Sequence, residues 1–152
     1  MGSAGAPFGR IVVGVDGSEA SIEALRQAQR LAVPLGAKVE AHAYWDYPQA
    51  YSGYMLMGIE GFEERAGQIL DEAVSTAYGD ETPSNVMASL VRGHPRDSLI
   101  EASRHADLLV VGRRGHGGFS GLLLGSVSSA LVAHAHCPVL VVHTPEAPPE
   151  TP

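Results

Sequence analysis

Between Gly112 and Val127 the chain reads GRRGHGGFSGLLLGSV, with glycine at positions 112, 115, 117, 118, 121 and 125. Glycine admits positive φ and lets a ligand come close to the main chain. If a helix opens at Gly125-Ser126, its first amides and the positive end of its dipole form a seat for a phosphate, with the Ser126 hydroxyl as a further donor. The same residues also suit a plain loop, in which Gly125 turns the chain and Ser126 caps a helix. Residue types alone leave both readings open. A lysine-dependent phosphate loop is excluded, because no GxxxxGK[ST] occurs and the only lysine, Lys38, lies far away in sequence. Nor does a G-x-G-x-x-G follow the first apolar run. Phosphate donors must therefore be backbone amides helped by local arginines such as Arg113 and Arg114.

Other residues carry chemistry less pointedly. Asp16 opens an Asp-Gly-Ser turn, where it serves either as a turn cap or as a ligand-facing acid. His42 alternates with small residues on an extended stretch and reads as a packed or hydrogen-bonded histidine. His134, His136 and Cys137, with His116 and His143, are zinc-compatible in type only. Two residues apart on a helix, His134 and His136 point to different sides, so no metal site is expected there. His94 begins a Gly-His-Pro turn and is read as structural.

The elements that position these residues follow from periodicity. Arg10–Asp16 is a β-branched run ending at a turn, and Lys38–Tyr44, Val86–Val91, Asp107–Gly112 and Pro138–His143 are further strands. Ser18 is placed to N-cap a helix carrying Ile22, Leu25, Ala28, Ala32 and Leu35, with Pro34 and Gly36 ending or distorting it. Trp45–Gly61 has no clean period and is expected to be a loop. Phe62 to Ala77 repeat at helical spacing, Arg96–His105 is a short helix behind Pro95, and Gly125–His136 is the last helix. Strands alternating with helices give an α/β domain: a doubly wound five-stranded parallel sheet, order 3-2-1-4-5, with helices on both faces and right-handed crossovers. In such sheets a ligand sits beyond the carboxyl ends of the strands where the order reverses. That point lies between the first and fourth strands, so topology brings Asp16 and Gly112 together.

The chain has 152 residues, 45% hydrophobic and 18% charged, which suits one globular domain over residues 9–143. Residues 1–8 are expected to be a flexible arm and 144–152 a proline-rich disordered tail. A formal net charge of −7 argues against binding nucleic acid or an acidic membrane surface. Cys137 is the only cysteine, so no internal disulfide forms. The apolar runs are far shorter than the roughly 18–20 residues of a membrane helix. No signal peptide is read at the N-terminus, and a cytoplasmic location is expected.

The spacing Gly112-x2-Gly115-x9-Gly125-Ser126 matches the G-2x-G-9x-G-(S/T) signature of the ATP-binding branch of the universal stress protein family. The chain resembles that family roughly from Gly9 to His143, through VGVDGSEAS, GHP, DLLVVG, LLLGSVS and CPVLVV. The resemblance implies that ATP, with Mg2+, is the ligand. Asp16 then stands for the family acid near the ribose, the phosphates or their metal, and Ala43 for the small residue that contacts adenine through its backbone. Gly112 and Gly115 line the ribose and phosphates, while Gly125, Ser126 and Val127 hold the phosphates. Arg113, where many relatives carry a small residue, is an extra phosphate contact. The implied function is a nucleotide-dependent regulatory module in the stress response, with no catalytic residue and slow or no ATP hydrolysis. Cyclic AMP or another adenine nucleotide is the alternative ligand. An adenine-nucleotide α-hydrolase is disfavoured, since DGSEAS stands where those enzymes carry an SGGxDS-like loop. Strand 138–143 is apolar on both faces at a sheet edge, and together with the family habit this implies a homodimer.

Overall fold

The computed structural model describes residues 9–47, 55–114 and 124–144. The expected arm at 1–8, the tail from 145 onward, Gly115 and His116 lie outside the described residues. In chain order the elements are β1 (Arg10–Gly14), α1 (Glu19–Leu35), β2 (Lys38–Trp45), α2 (Met55–Tyr78), β3 (Val86–Arg92), α3 (Pro95–Ala102), β4 (Leu108–Gly112), α4 (Ser126–His134) and β5 (Val139–Val142). The five strands form one parallel sheet in the order β3-β2-β1-β4-β5, as the alternation of strands and helices predicts.

Both faces of the sheet are packed. On one side Ile11, Val13, Val39 and Ala41 meet Leu25, Ala28 and Ala32 of α1 and Leu70, Ala73 and Val74 of α2. On the other, Val12, Leu109 and Val111 meet Leu99 of α3 and Leu131 of α4. The two faces alternate residue by residue along β1, which is why its apolar run shows no polar interruption. Each fully buried Leu or Ile contributes on the order of 2 kcal/mol. Among the described residues no helix is long and apolar enough to cross a membrane.

Local chemistry sets the helix ends. Ser18 caps α1, its Oγ accepting from the Ser21 amide at 3.2 Å. Gly36, at φ +67°, closes α1 with amides of Gly36 and Ala37 bonded back to Val33 and Ala32. Pro34 sits inside the last turn of α1 without ending it.

Two expectations are corrected. The stretch Trp45–Gly61 is not all loop: Trp45 belongs to β2, and α2 begins at Met55. Gly58 and Gly61 break the apolar period there, yet a glycine costs a helix only about 1 kcal/mol, and the long helix that follows absorbs it. The third helix ends at Ala102 rather than His105. There Ser103, 1% exposed, donates its hydroxyl to the Ile100 carbonyl at 2.5 Å and accepts from the His136 amide at 2.8 Å, pinning the turn to the exit of α4.

One glycine is fixed by packing. A Cβ on Gly112 would stand 2.5 Å from Cβ of Ala20 and 2.9 Å from its carbonyl carbon, so the first turn of α1 rests directly on the end of β4. Gly112→Ala is therefore expected to destabilise the fold by about 1–3 kcal/mol through overpacking, read as a lower urea midpoint at unchanged slope.

Candidate functional site

At the carboxyl end of the sheet β1 and β4 are neighbours whose crossovers leave in opposite directions, and a cleft of about 310 Å3 opens there. Its walls come from every element that ends or begins nearby: Gly14, Val15 and Asp16 after β1, Ser18 and Ser21 of α1, Tyr44 of β2, Pro95 and Leu99 of α3, Val111, Gly112 and Arg114 at β4, and Gly125 to Ser128 at α4. A second recess adjoins it, walled by Ala43 and Trp45 of β2, by Asp46 just after it, and by Phe62, Arg65, Ala66 and Ile69 of α2. Val15, Asp16 and Tyr44 belong to both.

Three helix starts converge on the cleft, and they are not equivalent. The start of α1 is capped by Ser18. The start of α3 has Pro95 in its first turn and is capped by His94, whose Nδ1 accepts from the Arg96 amide at 3.2 Å. At α4 the cap residue is Gly125, with extended backbone and no side-chain hydrogen bond. The first amides of α4 have no intrahelical acceptor, and the residues that carry them, Ser126, Val127 and Ser128, line the cleft. The dipole and the open amides make this helix start the anion-favouring point of the site.

The start of α4 is tied back to the end of β4. The Gly125 amide donates to the Arg113 carbonyl at 2.8 Å, the Ser128 hydroxyl donates to the Gly112 carbonyl at 2.6 Å, and the Arg113 amide donates to Val142 at 2.7 Å. These bonds fix the start of α4 against the end of β4 through residues on either side of the intervening segment.

Asp16 sits exposed at the rim. Its Oδ1 accepts from the Ser18 amide at 2.9 Å and from the Ser18 hydroxyl at 2.5 Å. The turn-cap reading of this residue is thus observed.

The sequence-predicted residues divide as follows. Asp16, Gly112, Gly125, Ser126 and Val127 share the main cleft, and Ala43 lies in the adjoining recess. Gly115 is outside the described residues. Arg113 is not among the cleft residues, and its successor Arg114 is. The amide and carbonyl of Arg113 are occupied in the sheet and loop closure just described. Ser18, Ser21, Tyr44, Pro95 and Leu99 line the cleft without having been singled out. The Gly-His-Pro turn was the available signal for Pro95, whereas Tyr44 resembled an ordinary strand aromatic.

The chain is a doubly wound α/β domain with an uncapped helix start and glycine walls at the switch point of its sheet. Residues 7–143 match the sequence profile of the universal stress protein family, and the chain belongs to that family. It is 31% identical over 147 residues to a universal stress protein of Methanocaldococcus jannaschii, covering 91% of this chain and 84% of the relative. It is 34% identical over 145 residues to one from Mycobacterium tuberculosis, covering 88% of this chain and 47% of the relative, so it spans about half the length of that protein. Among solved structures, a universal stress protein in complex with cAMP superposes with a TM-score of 0.68 at 31% identity, covering 92% of this chain and all of that one.

The remaining histidine candidate lies off the site. His42 is 8% exposed, one pleat below Tyr44 on the α3/α4 face, with Nε2 3.2 Å from Oε1 of Glu40. Arg10 binds the same Glu40 through Nε at 2.5 Å and its terminal nitrogen at 2.9 Å. Burial pushes the His42 pKa below its ordinary 6.5, against the opposing pull of Glu40. The unfolded chain therefore takes up this proton first as pH falls. The stability due to neutral His42 is complete above about pH 6.5 and is lost as pH falls toward the lower folded-state value. The thermal midpoint of the wild type is expected to drop more between pH 7.5 and 5.5 than that of His42→Gln. Parallel pH profiles would contradict this assignment.

Proposed function

We propose that this chain binds an adenine nucleotide, with ATP and Mg2+ as the primary ligand, and acts as a nucleotide-dependent regulatory module. The observation that carries the reading is the start of α4, the one helix opening of the three at the cleft without a side-chain cap. In this reading the phosphates rest on the amides of Ser126 and Val127 with the Ser126 hydroxyl beside them. Arg114 adds positive charge, and the base enters the recess of Ala43. Asp16 contributes a hard carboxylate oxygen at the rim for the magnesium ion that ATP carries. The universal stress protein solved with cAMP, at 31% identity, supports adenine-nucleotide chemistry and keeps cyclic AMP as the competing ligand.

The module binds without appreciable turnover. Phosphoryl transfer needs cationic groups on the transferred phosphate and a group that orients the nucleophile. Lys38, the sequence's only lysine, stands at the start of β2, at the opposite end of the sheet from the cleft. Among the described residues no cluster of three His, Cys, Asp or Glu side chains is arranged to hold a metal by itself.

A second copy of the chain is the expected partner. β5 is a sheet edge, and its Val139, Leu140 and Val141 remain partly exposed. Light scattering at micromolar protein should give the mass of a dimer, and a monomer mass there would refute edge pairing.

Calorimetric titration should show binding of ATP, and Gly125→Val should weaken it at least tenfold by placing a branched side chain where the phosphate must sit. Wild-type protein that binds neither ATP, ADP nor cyclic AMP would overturn the proposal. So would undiminished affinity in the folded Gly125→Val variant.

A further inference from the structure

Tyr44 stands at the carboxyl end of β2 and packs against the cluster of Val12, Leu99, Leu109 and Val111. Its hydroxyl is buried and meets no hydrogen-bond partner, the single such side-chain atom among the described residues. The other deeply set phenol, Tyr78, donates to the Leu25 carbonyl at 2.6 Å. Leaving a buried hydroxyl unmatched costs about 1–3 kcal/mol, and phenylalanine would fill the same space without that cost. The hydroxyl of Tyr44 thus has no role within the fold that explains it.

The position of Tyr44 indicates what does. Val15, Asp16 and Tyr44 alone are common to the main cleft, which holds the open helix start, and to the recess of Ala43, Phe62 and Arg65. A nucleotide with its base in one and its terminal phosphates in the other must pass its ribose and α-phosphate across this junction. Of the three residues, Val15 has an apolar side chain and Asp16 an acceptor-only carboxylate, assigned above to the magnesium ion. Tyr44 is the one neutral donor.

We propose that Tyr44 is a ligand-binding residue of the site, donating its phenolic hydrogen bond to a ribose or α-phosphate oxygen. The proposal rests on the nucleotide reading given above. The residue lines the main cleft and as a whole is only part-buried. Burial holds the phenol pKa well above its ordinary value, which keeps the proton on the oxygen and the group a donor at any physiological pH.

Tyr44→Phe tests this. Removing only the hydroxyl should leave the thermal midpoint of nucleotide-free protein unchanged or raised. It should weaken AMP, ADP and ATP alike by about tenfold, the effect of one hydrogen bond to a charged group. The uniform loss marks a contact to the part the three nucleotides share. Ser126→Ala should instead cost ATP more than AMP. Equal affinity of wild type and Tyr44→Phe overturns this inference while leaving the nucleotide reading intact. A lowered midpoint without nucleotide also overturns it, because the hydroxyl would then be held by the protein itself. Wild-type protein that binds none of the three overturns both.

Discussion

The cleft depends on one close contact, the first turn of α1 resting on the bare backbone of Gly112 at the end of β4. A side chain there would lift α1 away from the sheet and with it the Asp16–Ser18 turn that forms one wall. Gly14, on the neighbouring strand, has a similar constraint, since a Cβ would stand 2.9 Å from Leu99 Cδ1. Two glycines at equivalent ends of adjacent strands thus let helices from opposite faces close in on the same point. The space between them is the site.

Around that point the structure distinguishes donors that are used from donors that are offered. Backbone amides at a helix start must be satisfied by something, and α1 and α3 do so internally with Ser18 and His94. The start of α4 has glycine in the capping position and is anchored from behind by the Gly125–Arg113 and Ser128–Gly112 bonds. Anchoring of this kind holds the amides in place before any ligand arrives, so binding loses little to ordering the loop ends. In a chain of net charge −7 this local positive field is set against an acidic background, which favours a compact anion held by directed hydrogen bonds over a polyanion held by general charge.

The fold was legible because strand and helix periods are strong here: the β-branched run at Arg10, the apolar run at Leu108 and the four-residue spacing along α1 leave little choice. Glycine hid the first turns of α2, and the hydroxyl of Ser103 ended α3 earlier than its composition suggested. In the cleft, Gly125, Ser126, Gly112 and Asp16 were legible from spacing and topology together, and Val127 from the family resemblance. Which of Arg113 and Arg114 lines the cleft was not, because which of two successive residues faces it depends on where the strand register ends. The second duty of Gly112, as a packing glycine against Ala20, depends on a residue 92 positions away and leaves no local signal. Tyr44 was invisible for a related reason. An unmatched hydroxyl is a property of its neighbours.

In the proposed function the open amides at the start of α4 receive the phosphates of an adenine nucleotide. Amide chemical shifts in an isotope-labelled sample titrated with ATP and Mg2+ address it directly. The largest changes are expected at Gly125, Ser126 and Val127, with further changes at Gly112 and Asp16, and little at the amino ends of the strands near Lys38 and Arg10. Unchanged amides at Gly125 to Val127, with ATP bound elsewhere or not at all, would contradict it.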